Sequence, residues 1–462
     1  MIDRYSGITR GASNVRRTIA LLTATSLAAL LYFRSDEAPP RASPPAAAAP
    51  EQQPSPPSDG DTAGRAHEPS APEPPATPAR APAPDTAATP SPAPEEERSR
   101  GRAAPSRPAA PEVSEPRGSG IWIGRAELMR RPTAGEDWEA LVRDARRLPE
   151  PADIADQDSN HDVHTMAAAL VCARVGEHCE EARRGILDAM GTEARARWLA
   201  VGRNLGAYVI AADLLDLRSD GRGGPDGAAV ERWMEEWMTR ELPDNNSGIP
   251  RRFGPFHSGA NAAAQEGFVY TALAAYLRDA DALRRAWNGF RTFVCDPTAP
   301  DDERIDLGRP VEDGWAHDDR APCAVNPAGA TKAAPGGQGG PGRVRRIDGA
   351  LIADMRRGGP FQEIPVYTAY PWVGLEGLVP AAVILERAGY PAFEIADRAV
   401  LRTLEYLWGL REESGDERWF DGVRAREIVH LVNVAYGTSF PVARTIAGGR
   451  TVGYTGWTHA SR

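Results

Sequence analysis

The chain has 462 residues, and its formal net charge is −10 at pH 7. Residues 1–34 carry five arginines against one aspartate, residues 35–118 carry 8 basic against 13 acidic residues, and residues 119–462 carry 41 against 50. An acidic body of this kind presents no electrostatic footprint for nucleic acid, so DNA and RNA are not expected as partners. The only lysine, Lys332, lies in a Gly/Pro-rich stretch, which argues against Schiff-base chemistry.

The N-terminal 34 residues carry an export or anchoring signal. Arg16 and Arg17 precede the uncharged, mostly apolar run 18–33, which is followed by Arg34 and two acidic residues. The run is longer than the usual core of a signal peptide and shorter than the roughly 20 residues that span a bilayer. We therefore expect a membrane anchor or a cleaved signal sequence, with the N-terminus in the cytoplasm and the remainder periplasmic or at the cell surface.

Residues 35–118 are a Pro/Ala-rich segment without aromatic residues, leucine or isoleucine. Such a segment cannot bury enough apolar surface to offset the entropy of ordering, so we predict a disordered linker. Residues 119–462 hold all 11 tryptophans and are expected to form the folded domain.

Four cysteines lie in that domain, and an oxidising compartment favours pairing them. The simplest pairing joins Cys172 to Cys179 and Cys295 to Cys323, each closing a local loop. A zinc site built from all four cysteines is the alternative, although no Cys-x-x-Cys spacing is present.

The apolar spacing from about residue 136 onward has the period of helices rather than of strands. It predicts an all-α domain, either an α/α toroid of antiparallel helix pairs or an α-solenoid. The toroid is preferred because no tandem repeat is visible. The predicted helices cover residues 135–147, 162–175, 181–190, 192–217, 227–242, 258–277, 280–293, 371–388 and 392–411.

The first candidate site segment runs from Asp244 to Asn261 and includes Asn246 and His257. A helix beginning at residue 258 would place His257 and Asn261 on one face at its N-terminal end, where an anion is favoured. The alternative interpretation is a pair of capping side chains with a purely structural role.

The second candidate segment contains Arg356 and Arg357 beside two glycines, followed by Tyr367, Tyr370 and Trp372 at the start of a helix. Arginine pairs with carboxylates and aromatic rings stack on sugars, so this segment suits a carboxylated sugar. Three further arginines, Arg343, Arg345 and Arg346, are expected to add to a local basic cluster. The alternative is a solvated arginine-rich loop with core aromatics.

Two other patterns favour structural roles. The C-terminal segments 433–441 and 453–459 interleave small and aromatic residues, which is typical of tight packing or of a cleft wall, and a structural role is favoured for most of them. His161, Asp162 and His164 have the residue types of metal ligands, but groups near a helix start are more often caps. No metal and no cofactor are expected.

Taken together, the motifs Asn-Asn, His-Ser-Gly-Ala-Asn-Ala, Arg-Arg-Gly-Gly, Tyr-Thr-Ala-Tyr-Pro-Trp, Tyr-Gly-Thr-Ser-Phe-Pro and Gly-Trp-Thr-His stand in this order along the chain. In this order they resemble the alginate-lyase domain family of polysaccharide lyases, over roughly residues 120–460. The resemblance implies an α/α toroid with a cleft, and β-elimination at a uronic acid of an acidic polysaccharide.

The resemblance also implies roles for single residues. Asn261 matches the family's asparagine and Tyr370 its catalytic tyrosine, while Arg357 or Arg356 would neutralise the substrate carboxylate. The family's histidine should follow Asn261 directly, but Ala262 stands there, so His257 is the candidate. The predicted catalytic residues are therefore Tyr370 and His257, and the predicted substrate-binding residues are Asn246, Asn261, Arg356, Arg357, Tyr367 and Trp372.

Two other functions remain open from the sequence. One is a catalytically inactive polysaccharide-binding or envelope scaffold domain on the same fold. The other is a glycoside hydrolase, which needs two carboxylates facing each other across a cleft. Asp244, Glu266 and Glu376 are available for that role, but no spacing singles out a pair.

Overall fold

A computed structural model of the protein describes residues 120–147, 151–220, 223–243, 250–299, 314–318, 323–334, 342–421, 427–442 and 451–459. The predicted anchor and linker, residues 1–34 and 35–118, lie outside these residues. Among the helices within the described ranges, none is both long enough and apolar enough to cross a membrane.

Helices dominate the described part of the domain, as the all-α prediction requires. They are α1 (Arg125–Met129), α2 (Glu136–Ala145), α3 (His161–Val175), α4 (Cys179–Ala189), α5 (Trp198–Leu214), α6 (Gly224–Trp237), α7 (Asn261–Tyr276), α8 (Ala280–Phe293), α9 (Ile352–Met355), α10 (Tyr370–Arg387), α11 (Ile395–Ser414), α12 (Arg418–Asp421), α13 (Glu427–Tyr436) and α14 (Thr455–Thr458).

Two short antiparallel ribbons accompany the helices. Strands β1 (Glu241–Pro243) and β2 (Pro250–Arg252) pair with each other, and β3 (Thr331–Ala333) pairs with β4 (Val344–Arg346). At three residues per strand, they are too short for the alternating apolar pattern that reveals strands in a sequence.

All nine predicted helices are present, with two boundary errors that matter. The helix predicted over 192–217 begins only at Trp198, because the Thr192 hydroxyl donates to the carbonyl of Ala189 and ends the preceding helix there. The helix predicted from residue 258 begins at Asn261. His257 therefore lies in the turn before α7, and the prediction that it shares a helix face with Asn261 was wrong.

The helices contact one another in an order that returns to its start. Contacts run from α3 to α5, α7, α10, α13 and α14, then from α14 to α2 and from α2 back to α3. A second set of helices packs against these: α4 on α3, α8 on α7 and α11 on α13.

Helix α7 is buried on nearly all its faces, between α5 and α10. Small residues on its neighbours allow the close approach. A Cβ added at Gly377 of α10 would lie 2.3 Å from the carbonyl carbon of Ala264, and one at Gly206 of α5 would lie 2.1 Å from the Phe268 ring. Because α7 carries several candidate site residues, this packing fixes their position.

The C-terminal segment is structural, as its sequence indicated. The Tyr454 hydroxyl donates to Asp144 of α2 at 3.2 Å, and Trp457 Nε1 donates to the carbonyl of Pro132 at 2.9 Å. His459 packs against Trp122, and desolvation lowers the pKa of its imidazole to about 3. These contacts join the C-terminal segment of the domain to residues near its N-terminal end.

The four cysteines form the two predicted disulfides, Cys172–Cys179 and Cys295–Cys323. The first joins the end of α3 to the start of α4. The second joins the residues after α8 to the segment that leads into β3. The alternative of a four-cysteine zinc site was wrong.

Candidate functional site

Two residues of the second candidate segment, Arg357 and Tyr370, meet at the start of α10. Arg356 and Arg357 lie in a short 3-10 turn after α9, and Tyr370 is the first residue of α10. The Cζ atom of Arg357 lies 4.9 Å from the centroid of the Tyr370 ring. Both arginines are exposed, and Tyr370 is 42 % exposed. A phenol and a guanidinium thus lie together at a surface that solvent reaches.

Asp354 connects this pair to Asn261. Asn261 Nδ2 donates to Asp354 Oδ1 at 2.7 Å, and the backbone N–H of Asn261 donates to the same oxygen at 3.2 Å. Asp354 precedes the two arginines by one turn, and the charge of Arg357 acts on it. We call Asn261, Asp354, Arg357 and Tyr370 the Tyr370 network.

Burial makes Asp354 an unusual carboxyl group. It raises the Asp354 pKa to about 7, although the hydrogen bonds from Asn261 and the charge of Arg357 act in the opposite direction. The closeness of α10 contributes, since a Cβ at Gly374 would lie 2.7 Å from Asp354 Oδ2. No sequence pattern indicates a role for Asp354, because its partner Asn261 is 93 residues away along the chain.

Asn261 itself is only 5 % exposed. Its side-chain nitrogen holds the Asp354 carboxyl group, so the structure gives this amide an internal partner. The predicted direct contact between Asn261 and substrate stays a prediction.

His257 belongs to a second group, built around Glu266 of α7. Its Nδ1 contacts Glu266 Oε2. Arg251 Nη2 donates to the same oxygen at 3.0 Å, and the backbone N–H of Gly254 donates to Oε1 at 2.9 Å. Glu266 has no solvent exposure.

Trp198 at the start of α5 completes this second group. The His257 ring meets the indole edge to face, with centroids 4.0 Å apart. The guanidinium of Arg251 lies over the same indole, 3.2 Å from its centroid. We call Trp198, Arg251, His257 and Glu266 the His257 cluster. Nothing in the sequence spacing indicated it, because β2 and the turn after it must fold back onto α7 to form it.

Two of the predicted substrate-binding residues, Tyr367 and Trp372, have aromatic rings packed against Trp419 or in the core. Trp372 was expected to offer its ring to a sugar, but the side chain is fully buried and its Nε1 donates to the carbonyl of Trp419. That prediction was wrong, because Trp372 points inward from α10 into the core. Tyr367 is half-buried against Trp419, with Arg418 over its ring, and stays a candidate.

The carboxylates considered for a glycoside hydrolase are not presented to a cleft. Glu266 is fully buried, and Glu376 is 4 % exposed and accepts a hydrogen bond from Gln265. Asp244 and the predicted binding residue Asn246 lie outside the described residues. The structure therefore does not support a hydrolase.

The upstream arginines have acidic partners of their own. Arg343 lies 3.7 Å from Glu363, while Arg345 pairs with Glu413 and Arg346 with Asp348. Arg345 and Arg346 line a pocket of about 150 Å³ against α11. The basic character at the Tyr370 network thus comes from Arg356 and Arg357.

His161, a residue of the metal-ligand type at the start of α3, has a structural role. His161 Nδ1 is hydrogen-bonded to the Tyr208 hydroxyl at 2.7 Å, and burial lowers the pKa of its imidazole to about 4. Within the described ranges, no three His, Cys, Asp or Glu side chains are grouped so that they could hold a metal ion.

Comparison with known proteins gives no relative: no family model, no curated protein and no solved structure matches this chain. The function proposed below is therefore inferred from the residues and their geometry.

Proposed function

We propose that the protein is a polysaccharide lyase that cleaves a uronate-containing polymer by β-elimination outside the cytoplasmic membrane. The observation that carries the proposal is the exposed pair of Arg357 and Tyr370, with the guanidinium 4.9 Å from the ring centroid. This pair brings a carboxylate-binding group and a proton-transferring group to one place.

β-Elimination has three requirements. The uronate carboxylate must be neutralised so that the proton on the neighbouring carbon becomes acidic, a base must remove that proton, and an acid must protonate the departing glycosidic oxygen. The electron pair of the broken C–H bond becomes a carbon–carbon double bond as the C–O bond to the next sugar breaks.

Different residues meet the three requirements. Arg357 and Arg356 bind the carboxylate and stabilise the negative charge that develops on it. Tyr370 gives its phenolic proton to the departing oxygen. His257, which belongs to a cluster separate from the Tyr370 network, is the proposed base for the proton on carbon. Asn261 acts through Asp354, which its amide holds beside Arg357. Tyr367 extends the binding surface, and Asn246, outside the described residues, stays a predicted binding residue.

We further propose that the domain is an α/α toroid. The support is the cyclic order of helix contacts, together with the outer helices that pack on its members. The C-terminal segment, bound to α2 through Tyr454, would close the ring.

The proposed location rests on the sequence of residues 1–34, as a membrane anchor or exported signal sequence, and on the disulfides. Disulfides such as Cys172–Cys179 persist in oxidising compartments, which include the periplasm and the cell surface. The acidic polysaccharide would be met there.

The experiment is a panel of uronate polymers incubated with the full chain, read by the ultraviolet absorbance of the unsaturated product. At least one polymer should give new absorbance that grows linearly with enzyme. Absence of product across alginate, pectate, glucuronan and glycosaminoglycan substrates would contradict the proposal.

A second candidate is a catalytically inactive polysaccharide-binding domain. The observation that favours it is Asn261, which is 5 % exposed and donates inward, together with Ala262 at the position where a histidine was expected. Polymer binding without product, lost in Arg357→Ala, would support this function instead.

A further inference from the structure

We propose that Glu266 is a positioning residue that fixes the orientation and tautomer of His257, with the proton on Nδ1 and the lone pair on Nε2. The inference rests on the proposed function, since it assumes that His257 is the base of the elimination. From the sequence alone, Glu266 was a candidate only for a hydrolase carboxylate.

Both carboxylate oxygens of the buried Glu266 side chain have partners. Glu266 is fully buried, and a buried charge is tolerated only when it is paired and hydrogen-bonded. Gly254 N–H donates to one oxygen, while Arg251 donates to the other, which His257 Nδ1 also contacts. These contacts come from three positions before α7, so Glu266 organises the whole turn around His257.

Neighbouring side chains on both sides restrict the His257 ring. The indole of Trp198 meets this ring edge to face at 4.0 Å, and the Arg251 guanidinium covers the same indole. The ring is therefore held between Trp198 of α5 and Glu266 of α7, and its side chain is only 12 % exposed. Rotation that would bring Nε2 to Glu266 requires displacement of one of these neighbours.

The chemical consequence follows from the acceptor at Nδ1. A carboxylate accepts only from a protonated nitrogen, so neutral His257 carries its proton on Nδ1 and Nε2 becomes the basic atom. When Nε2 removes the proton from carbon, the imidazolium that forms stays beside the Glu266 carboxylate and is stabilised by it. Glu266 of α7 contacts His257 directly, and Arg251 of β2 donates to the same Glu266 oxygen.

The test uses the full chain with ¹⁵N-labelled histidine, whose ring nitrogen shifts distinguish the two tautomers. Wild type should show His257 protonated at Nδ1, assigned by loss of its signals in His257→Gln. Glu266→Gln has nearly the same shape but offers an amide that donates as well as accepts, so the Nε2-protonated form should appear. On the polymer that is cleaved, kcat should fall about 10- to 100-fold with KM little changed.

A matched control is Glu427→Gln, which changes another buried glutamate, one that accepts a hydrogen bond from the Thr455 backbone. It should leave the His257 signals and kcat unchanged. Glu266→Asp keeps the charge and should retain the Nδ1-protonated form, which covers the case in which Glu266→Gln does not fold.

An Nε2-protonated His257 in wild type would overturn the inference, as would a Glu266→Gln protein with wild-type tautomer and kcat. The tautomer measurement needs no turnover. A protein that cleaves no polymer but shows the Nδ1-protonated ring would contradict the proposed function while leaving the positioning role of Glu266 intact.

Discussion

The guanidinium of Arg357 lies over the ring of Tyr370, with its central carbon 4.9 Å from the ring centroid. The two residues are 13 positions apart and belong to different elements, the turn after α9 and the first residue of α10. A glycine makes the approach possible: a Cβ at Gly358 would lie 2.3 Å from the carbonyl oxygen of Val366. The loop between the two residues therefore doubles back on itself.

Arg357→Ala should reduce kcat/KM on the cleaved polymer by about 100-fold, since a charge-assisted contact with the developing carboxylate charge is lost. Stability should change little because Arg357 is exposed. The measurement is initial-rate kinetics together with a urea unfolding curve. Arg343→Ala, which removes another exposed arginine, is the control and should retain wild-type kcat/KM. Equal losses in both variants would contradict the role of Arg357.

Asp354→Asn should stabilise the protein relative to wild type as pH rises. Burial raises the pKa of this carboxyl to about 7, so the folded state keeps a proton that the unfolded chain loses near pH 4. The unfolded chain thus binds fewer protons, and wild-type stability from this group falls between about pH 4 and pH 7. An asparagine avoids that loss, which amounts to at most about 4 kcal/mol.

The check is the difference in free energy of unfolding between Asp354→Asn and wild type, measured at about pH 5 and about pH 8. The free energy of unfolding of Asp354→Asn, relative to that of wild type, should be larger at the higher pH than at the lower pH. For Asp416→Asn we expect no such change, since hydrogen bonding to Arg418 lowers the pKa of the partly exposed Asp416 below this window. A pH-independent difference for Asp354→Asn would contradict the buried, protonated carboxyl.

Gly377→Ala should destabilise the protein by about 3 kcal/mol, because the new methyl group meets backbone atoms of Ala264 and Gln265 at 2.3 Å. Backbone cannot move aside unless α7 and α10 separate. Gly409→Ala is the matched control within a helix, since its added Cβ meets nothing within 4 Å. It should stabilise α11 by up to about 1 kcal/mol. Urea midpoints that shift equally for the two variants would argue against tight α7–α10 packing.

The nine predicted helices are present because each has a strong apolar period or is apolar throughout, whereas α13 and the four helices of four or five residues were not predicted. Prediction from the sequence failed where a position depends on partners distant in the chain. Trp372 stands beside Tyr370 in the sequence, yet one is fully buried and the other exposed. In a helix that is apolar on most faces, no pattern tells which face a given aromatic takes.

The same reason explains the partners that the sequence did not reveal. Asp354 is paired with Asn261 across 93 positions, and Glu266 meets His257 only because the preceding turn folds back onto α7. The resemblance implied that Asn261, Arg357 and Tyr370 act together. In the structure Asp354 accepts hydrogen bonds from Asn261 and feels the charge of Arg357, whose guanidinium lies over the Tyr370 ring.

The most direct test of the central claim is the formation of unsaturated product by wild type, Tyr370→Phe and Tyr390→Phe on the same uronate polymers. Tyr370→Phe removes one exposed hydroxyl and should reduce kcat by about 1,000-fold, in the range expected for loss of an acid–base group. Tyr390→Phe, a hydroxyl removed from a buried tyrosine beside Trp287, should keep wild-type kcat. If Tyr370→Phe formed unsaturated product at the wild-type rate, or wild type formed none from any polymer, the proposed β-elimination at Tyr370 would be contradicted.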